Sequence, residues 1–239
     1  MLLGEILPFG CLARRMETNG KKSGCVFNLY LFFADICMTK NRDMTSFVFA
    51  THNKHKVAEV QAMLPDFVQI RSLTEIGCLD DIPETADTLQ GNALQKARYV
   101  YERYRCDCFA DDTGLEIDAL QGRPGVFSAR YAGEGCSFDD NVRKVLEEMK
   151  QVPLAQRTAR FRTVVALIWE GNTWFFEGKV EGLMTLERHG LEGFGYDPIF
   201  LPDGYTQTFA EMDATEKNRI SHRGRAIQAL VSFLEKSRT

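Results

Sequence analysis

From Met44 onward the sequence predicts a mixed α/β fold, and three observations carry that reading. β-prone runs alternate with helical patterns over residues 46–104, an antiparallel hairpin is signalled across residues 160–180, and no repeat or low-complexity segment breaks the order. Ser46–Ala50 is the first strand, followed by a helix from Asn53 to Leu64 on an apolar stripe of Val57, Val60, Met63 and Leu64. A short strand covers Phe67–Arg71, and the acidic segment Leu79–Asp87 is a loop. The next helix runs from Thr88 to Tyr104. Cys108–Ala110 is a buried strand that ends at Asp111-Asp112, with a turn at Gly114 and a second strand over Leu115–Leu120. Phe138–Met149 is an amphipathic helix. Arg160–Glu170 and Thr173–Val180 form a hairpin around Gly171-Asn172. Ile199-Phe200 lies near another strand, and Ser221–Lys236 is a closing helix with Ser221 as its N-cap.

The bulk numbers bound the class. A chain of 239 residues, 44% hydrophobic and 26% charged, buries a core without disulfide staples. Its net charge of -4, with no Lys/Arg run longer than two, speaks against a protein that coats nucleic acid. Seven scattered cysteines read as reduced thiols in a cytoplasmic protein; C-x-C at Cys106 and Cys108 is too little for zinc.

Residues 1–43 look foreign to the rest. The apolar run Cys25–Met38 has 14 residues and carries Asn28 and Asp35, short of the roughly 20 that a membrane span needs. It sits too far from the start, and lacks the cleavage site, for a signal peptide. Met44 is therefore expected to be the natural start. Residues 1–43 form an extension outside the native fold, and residues 44–239 form one catalytic domain.

Chemistry concentrates in five places. Thr51-His52-Asn53-Lys54-His55-Lys56 joins a strand to a helix, where backbone N–H groups and Lys56 suit an anion; it lacks the glycines of a P-loop. The same residues also suit an ordinary helix start with solvated lysines. Asp111-Asp112-Thr113-Gly114 places two carboxylates side by side, an arrangement that a cation stabilises. Hard oxygen ligands, with Glu84 from the acidic loop as a further donor, suit Mg²⁺, although a polar turn uses the same residue types. Asn92 and Lys96 share a helix face, so Lys96 is either a further cation for phosphates or solvated. Phe194-Gly195-Tyr196-Asp197, in a glycine-rich loop, suits stacking on a base or simple core filling. Lys217, His222 and Arg223 lie at and before the start of the last helix.

From Ser46 to about Leu234 the chain resembles the inosine/xanthosine triphosphate pyrophosphatases. The resemblance rests on T-H-N-K-H-K from Thr51, A-D-D-T-G-L from Ala110, R-P-G-V-F-S-A-R-Y from Arg123, F-G-Y-D-P from Phe194 and S-H-R-G from Ser221, in that order. It implies an elongated mixed sheet flanked by helices, two lobes with a central cleft, and a homodimer. It also implies that ITP, dITP and XTP are hydrolysed to the monophosphate and pyrophosphate, with Mg²⁺ as cofactor. By the same resemblance, Thr51–Lys56 bind the triphosphate, and Glu84 and Asp112 hold the metal. Asp112 is the general base and Thr113 touches substrate beside it. Phe194–Asp197 embrace the base and sugar, and Lys217, His222 and Arg223 read the 6-oxo group. Two departures fall on the metal side: many members carry Glu where this chain reads Gly91-Asn92-Ala93, and others have Gly at Ala86. Two other readings stay open, a related pyrophosphatase for modified pyrimidine nucleotides and a non-catalytic nucleotide-binding regulator.

Overall fold

A computed structural model of the protein describes residues 44–238; the expected extension, residues 1–43, lies outside them. Seven strands form one mixed sheet: β1 Thr45–Phe49, β2 Val68–Ser72, β3 Cys108–Ile117, β4 Pro124–Gly125, β5 Thr158–Trp169, β6 Asn172–Met184 and β7 Phe200–Pro202. Their order is β2-β1-β3-β5-β6-β7, with β4 paired to β3. β1 runs parallel to both β2 and β3, and every other pairing is antiparallel. Among the described residues five helices flank the sheet: α1 Lys54–Gln61, α2 Leu89–Tyr104, α3 Phe138–Glu148, α4 Ala214–Ile220 and α5 His222–Lys236. None of the helices among the described residues is long and apolar enough to cross a membrane.

The helix starts match their side-chain chemistry. Asn53 caps α1, Thr88 caps α2 and Ser221 caps α5, each accepting from backbone N–H groups of the first turn. Ser137 and Asp140 close a capping box on α3. The structure corrects the sequence reading in three places. The hairpin turns at Glu170-Gly171, one residue earlier than expected; both residues adopt positive φ, the geometry of a tight two-residue turn. Helix α4, capped by Asp213, was not expected at all. Most consequential, there is no turn at Asp111-Asp112 or Gly114. β3 runs unbroken for ten residues, paired with β5 from Cys108↔Ile168 to Ile117↔Ala159, and this ladder overrides the local turn preference of Asp and Gly. Gly114 serves close packing instead, since a Cβ there would meet the Gly125 carbonyl oxygen at 2.8 Å. The strand expected over Leu115–Leu120 is the end of β3 followed by a 3₁₀ turn, Asp118–Leu120.

Core forms on both faces of the sheet. On one face, α2 packs Ala93, Ala97 and Val100 against Cys108 and Ala110 of β3. On the other, α1 and α5 bring Val60, Ala226, Ile227 and Leu230 against Phe47, Phe49 and Phe109. A third cluster surrounds the far end of β3, where Leu115 and Ile117 meet Val142 and Val145 of α3 and Phe200 of β7. The long strand β3 thus crosses from one core region to another, and the site lies at the crossing.

Candidate functional site

β1 pairs with β3 only as far as Phe49↔Phe109, and β4 takes up the same edge at Leu115. Between them β3 has a free edge, and Asp111, Asp112 and Thr113 fall in that gap. Because strand side chains alternate, Asp111 and Thr113 share one face and Asp112 takes the other. The two aspartates therefore do not form one carboxylate pair, as their adjacency suggested. They organise two separate clusters.

On the α2 face, the Lys96 ammonium lies between Glu84 and Asp112, bonded to Glu84 Oε1 and 3.4 Å from Asp112 Oδ1. Asn92, buried on the same helix, donates to Asp112 Oδ2 at 3.2 Å and accepts from the Ala86 amide at 2.9 Å. Burial pushes the Asp112 carboxyl above its usual range; Lys96 opposes the shift and Glu84 adds to it. For Glu84, burial is outweighed by Lys96, Lys56 and Arg130, which hold it below that range.

On the α1/α5 face, Asp111 is 1% exposed and accepts from Lys56 Nζ at 2.8 Å and Arg223 Nε at 3.1 Å. Burial alone would raise its pKa, but Lys56, Arg223 and Lys96 together pull it far down. Glu59, one turn beyond Lys56, accepts from Lys217 Nζ at 2.6 Å and Arg223 at 2.5 Å. Lys217 also reaches Asp197 Oδ2 at 2.9 Å, and that oxygen caps the Phe194 amide at 2.8 Å. His222 is buried and stacks on Phe161 at 4.5 Å. Burial, reinforced by Arg223 and Lys217, lowers its pKa well below the ordinary imidazole value, so the ring is neutral. Its Nδ1 is buried without a hydrogen-bond partner among the described residues.

Both clusters open into one cleft of about 270 Å³. Of the expected site residues, Thr51, His52, Asn53, Lys56, Glu84, Asp112, Thr113, Phe194, Gly195, Tyr196, Asp197, Lys217, His222 and Arg223 all line it. Two of the expected phosphate residues do not. Lys54 is exposed outside the cleft, and His55 stacks on Phe194 at 5.3 Å beside it. Asn53 Oδ1 already accepts from the amides of His55 and Lys56, at 2.9 and 3.3 Å. The helix N-terminus is therefore self-capped, and grip on an anion falls to the cationic side chains. Tyr196 lines the wall with its hydroxyl donated to the Ser128 carbonyl at 2.8 Å, so it is held as structure. Sequence reasoning missed Glu59 and the opposed facing of Asp111. The signal for Glu59 was its i, i+3 spacing from Lys56, which places both on one helix face.

No group of three or more His, Cys, Asp or Glu side chains among the described residues is arranged to hold a metal by itself. Glu84 and Asp112 alone supply an oxygen-only pair, with a single ammonium between them. That set suits a hard divalent cation completed by ligand oxygens.

Comparison with known proteins places this architecture. The Ham1 family model matches residues 47–233. The dITP/XTP pyrophosphatase of Porphyromonas gingivalis is 56% identical over 191 residues, covering 80% of this chain and 98% of that protein. Its counterpart from Flavobacterium johnsoniae is 52% identical over 187 residues, covering 78% and 96%. Among solved structures, a HAM1 protein from Coxiella burnetii superposes with a TM-score of 0.74 at 39% identity, covering 81% of this chain and 100% of that one. The Staphylococcus aureus Ham1 protein gives 0.73 at 34% identity, with the same coverage. With its sequence matched over nearly all of the described sheet and its relatives spanned almost end to end, this chain belongs to the Ham1 family.

Proposed function

We propose that the protein is a nucleoside triphosphate pyrophosphatase that hydrolyses non-standard purine nucleotides, ITP, dITP and XTP, to the monophosphate and pyrophosphate. The observation that carries this reading is the meeting of two unlike clusters in one cleft. Carboxylates with Lys56 and Lys96 line one part, and Phe194, Lys217, His222 and Arg223 line another. Relatives at 56% and 52% identity bear the name dITP/XTP pyrophosphatase, which supports the substrate class.

The chemistry follows from the two ends. Lys56 and Lys96 face the phosphate tail and offset its charge, and Lys56 stabilises the leaving pyrophosphate. Glu84 and Asp112 hold Mg²⁺, which when bound draws charge from the phosphate oxygens. Asp112, with its pKa raised by burial, takes the proton from the water that attacks the α-phosphorus. Asn92 keeps its carboxyl in place. At the other end Phe194 covers the base, while Arg223 and Lys217 present donors and His222 an unsatisfied nitrogen. Donors matched to a 6-oxo group are left unpaired against the 6-amino group of adenine, and such polar mismatch discriminates strongly.

The deciding assay is product analysis with ITP, XTP, GTP and ATP, with and without Mg²⁺. Pyrophosphate should appear from ITP and XTP well ahead of GTP and ATP, and only with the metal; release of orthophosphate alone refutes the reaction. A preference for modified pyrimidine nucleotides, assayed beside that panel, supports the related house-cleaning enzyme. Asp112→Asn should lower kcat by about 10²–10⁴-fold while a fluorescent nucleotide still binds; near-normal turnover removes the general-base role.

A further inference from the structure

Beneath the cleft runs a connected set of ion pairs that includes Glu59 and Asp111, to which the reaction above gives no role. Six charged side chains of alternating sign form a continuous chain: Asp197, Lys217, Glu59, Arg223, Asp111 and Lys56. The links are 2.9 Å from Asp197 to Lys217, 2.6 Å from Lys217 to Glu59 and 2.5 Å from Glu59 to Arg223. They continue at 3.1 Å from Arg223 to Asp111 and 2.8 Å from Asp111 to Lys56. One end lies among the base-reading residues and the other at the phosphate-gripping lysine.

We propose that Asp111 is a positioning residue that couples recognition of the base to alignment of the phosphates, a role that rests on the pyrophosphatase reading. Asp111 does not line the cleft and is buried beneath it. Its Oδ1 takes Lys56, its Oδ2 takes Arg223, and Thr113 lies 3.4 Å from the same Oδ2. At 1% exposure no bulk water replaces either partner. A shift of the Arg223 guanidinium therefore rotates or releases the carboxylate that aims Lys56. A 6-oxo base accepts from Arg223 and leaves it seated on Asp111. A 6-amino base sets donor against donor, displaces the guanidinium and so misplaces Lys56 at the far end. Discrimination is then expressed in kcat as well as in binding. Glu59 adds a second tie, because it shares a face of α1 with Lys56 and holds both Lys217 and Arg223.

The test is a kcat and KM comparison for ITP and ATP in the wild type, Asp111→Asn and Glu59→Gln. A carboxamide at 111 accepts from one cation and turns its NH₂ on the other, which breaks the link while preserving volume. The expected result for Asp111→Asn is a kcat for ITP reduced about 100-fold with KM changed less than about threefold, and a kcat for ATP reduced about tenfold or less. The ITP:ATP ratio of kcat then falls at least about tenfold. Glu59→Gln moves the ratio the same way by a smaller factor, and its partly exposed site keeps it usable if Asp111→Asn does not fold. Equal loss for both substrates, or loss confined to KM, overturns the coupling and leaves Asp111 a structural residue. A wild-type enzyme that does not release pyrophosphate faster from ITP than from ATP overturns the pyrophosphatase reading itself, and the coupling with it.

Discussion

Gly178 offers the sharpest test of how the sheet positions the site. It sits on β6 opposite Thr163 of β5, under the first turn of α5. A Cβ built there would meet the His222 carbonyl oxygen at 2.0 Å and the Ala226 amide at 2.5 Å, both backbone atoms that no rotamer change moves. Reaching ordinary contact at 3.4 Å requires α5 to retreat from β6 by about 1.4 Å. The helix begins at His222 and carries Arg223, so the retreat moves two cleft residues by a comparable distance. Overpacking of this kind destabilises by about 1–3 kcal/mol. For a domain of this size that is roughly 3–10 °C in melting temperature. The catalytic effect is larger, because a misplacement near 1 Å reduces turnover by about 100-fold. Scanning calorimetry and pyrophosphate release from ITP measure the two separately on Gly178→Ala. A variant that melts with the wild type and keeps its kcat would show that α5 is not held by close backbone approach, and the argument would fail.

Two further outcomes follow from buried groups. Arg157 is 2% exposed and donates to the carbonyls of Met149, Thr185 and Val152 at 2.6, 2.7 and 3.0 Å, with no ion-pair partner among the described residues. Arg157→Met leaves these acceptors unpaired and should remove about 3–5 kcal/mol of stability in urea unfolding without changing KM; a loss below about 1 kcal/mol would mean that the carbonyls find other donors. His222 is held neutral by burial and by the Arg223 and Lys217 charges, so its folded pKa lies well below the 6.5 of a free imidazole. Its contribution is present above pH 6.5 and is lost as pH falls below that value, since the unfolded chain then binds a proton that the native state refuses. From pH 7 to 5 the wild type should lose more stability than His222→Gln, and parallel stability curves for the two would contradict a buried neutral ring.

Much of this was legible in the sequence, and the gaps have physical causes. Asn53, Thr88 and Ser221 were readable as helix starts because capping is local chemistry, settled within four residues. Of the sixteen residues expected at the site fourteen line the cleft, twelve of them from the five motifs and two, Glu84 and Lys217, from outside them. Lys54 and His55 fall outside the cleft lining because a motif names a segment, whereas a helix turns successive side chains by 100° and sends neighbours to different surfaces. Glu59 stayed hidden for the converse reason: it lies outside the motif and enters the site only when α4 and α5 bring Lys217 and Arg223 to it across more than 150 residues of chain. Helix α4 was missed because seven residues carry too little periodicity to announce a helix.

The Asp111-Asp112 pair shows where local reading and tertiary structure part. Read locally, two carboxylates and a glycine make a turn, and a turn would aim both at one cation. The β5 ladder keeps the segment extended, and extension sends the two side chains to opposite faces. One consequence is electrostatic. Each carboxylate gains its own lysine, Asp111 with Lys56 and Asp112 with Lys96, so the like charges need not share a site. The other is a division of labour that a turn does not permit. Asp111 is saturated by two cations and titrates far below neutrality, whereas Asp112 holds a raised pKa with one oxygen facing Glu84 and Lys96. Adjacent residues of the same type thus acquire pKa shifts of opposite direction, because strand alternation seats them among different neighbours.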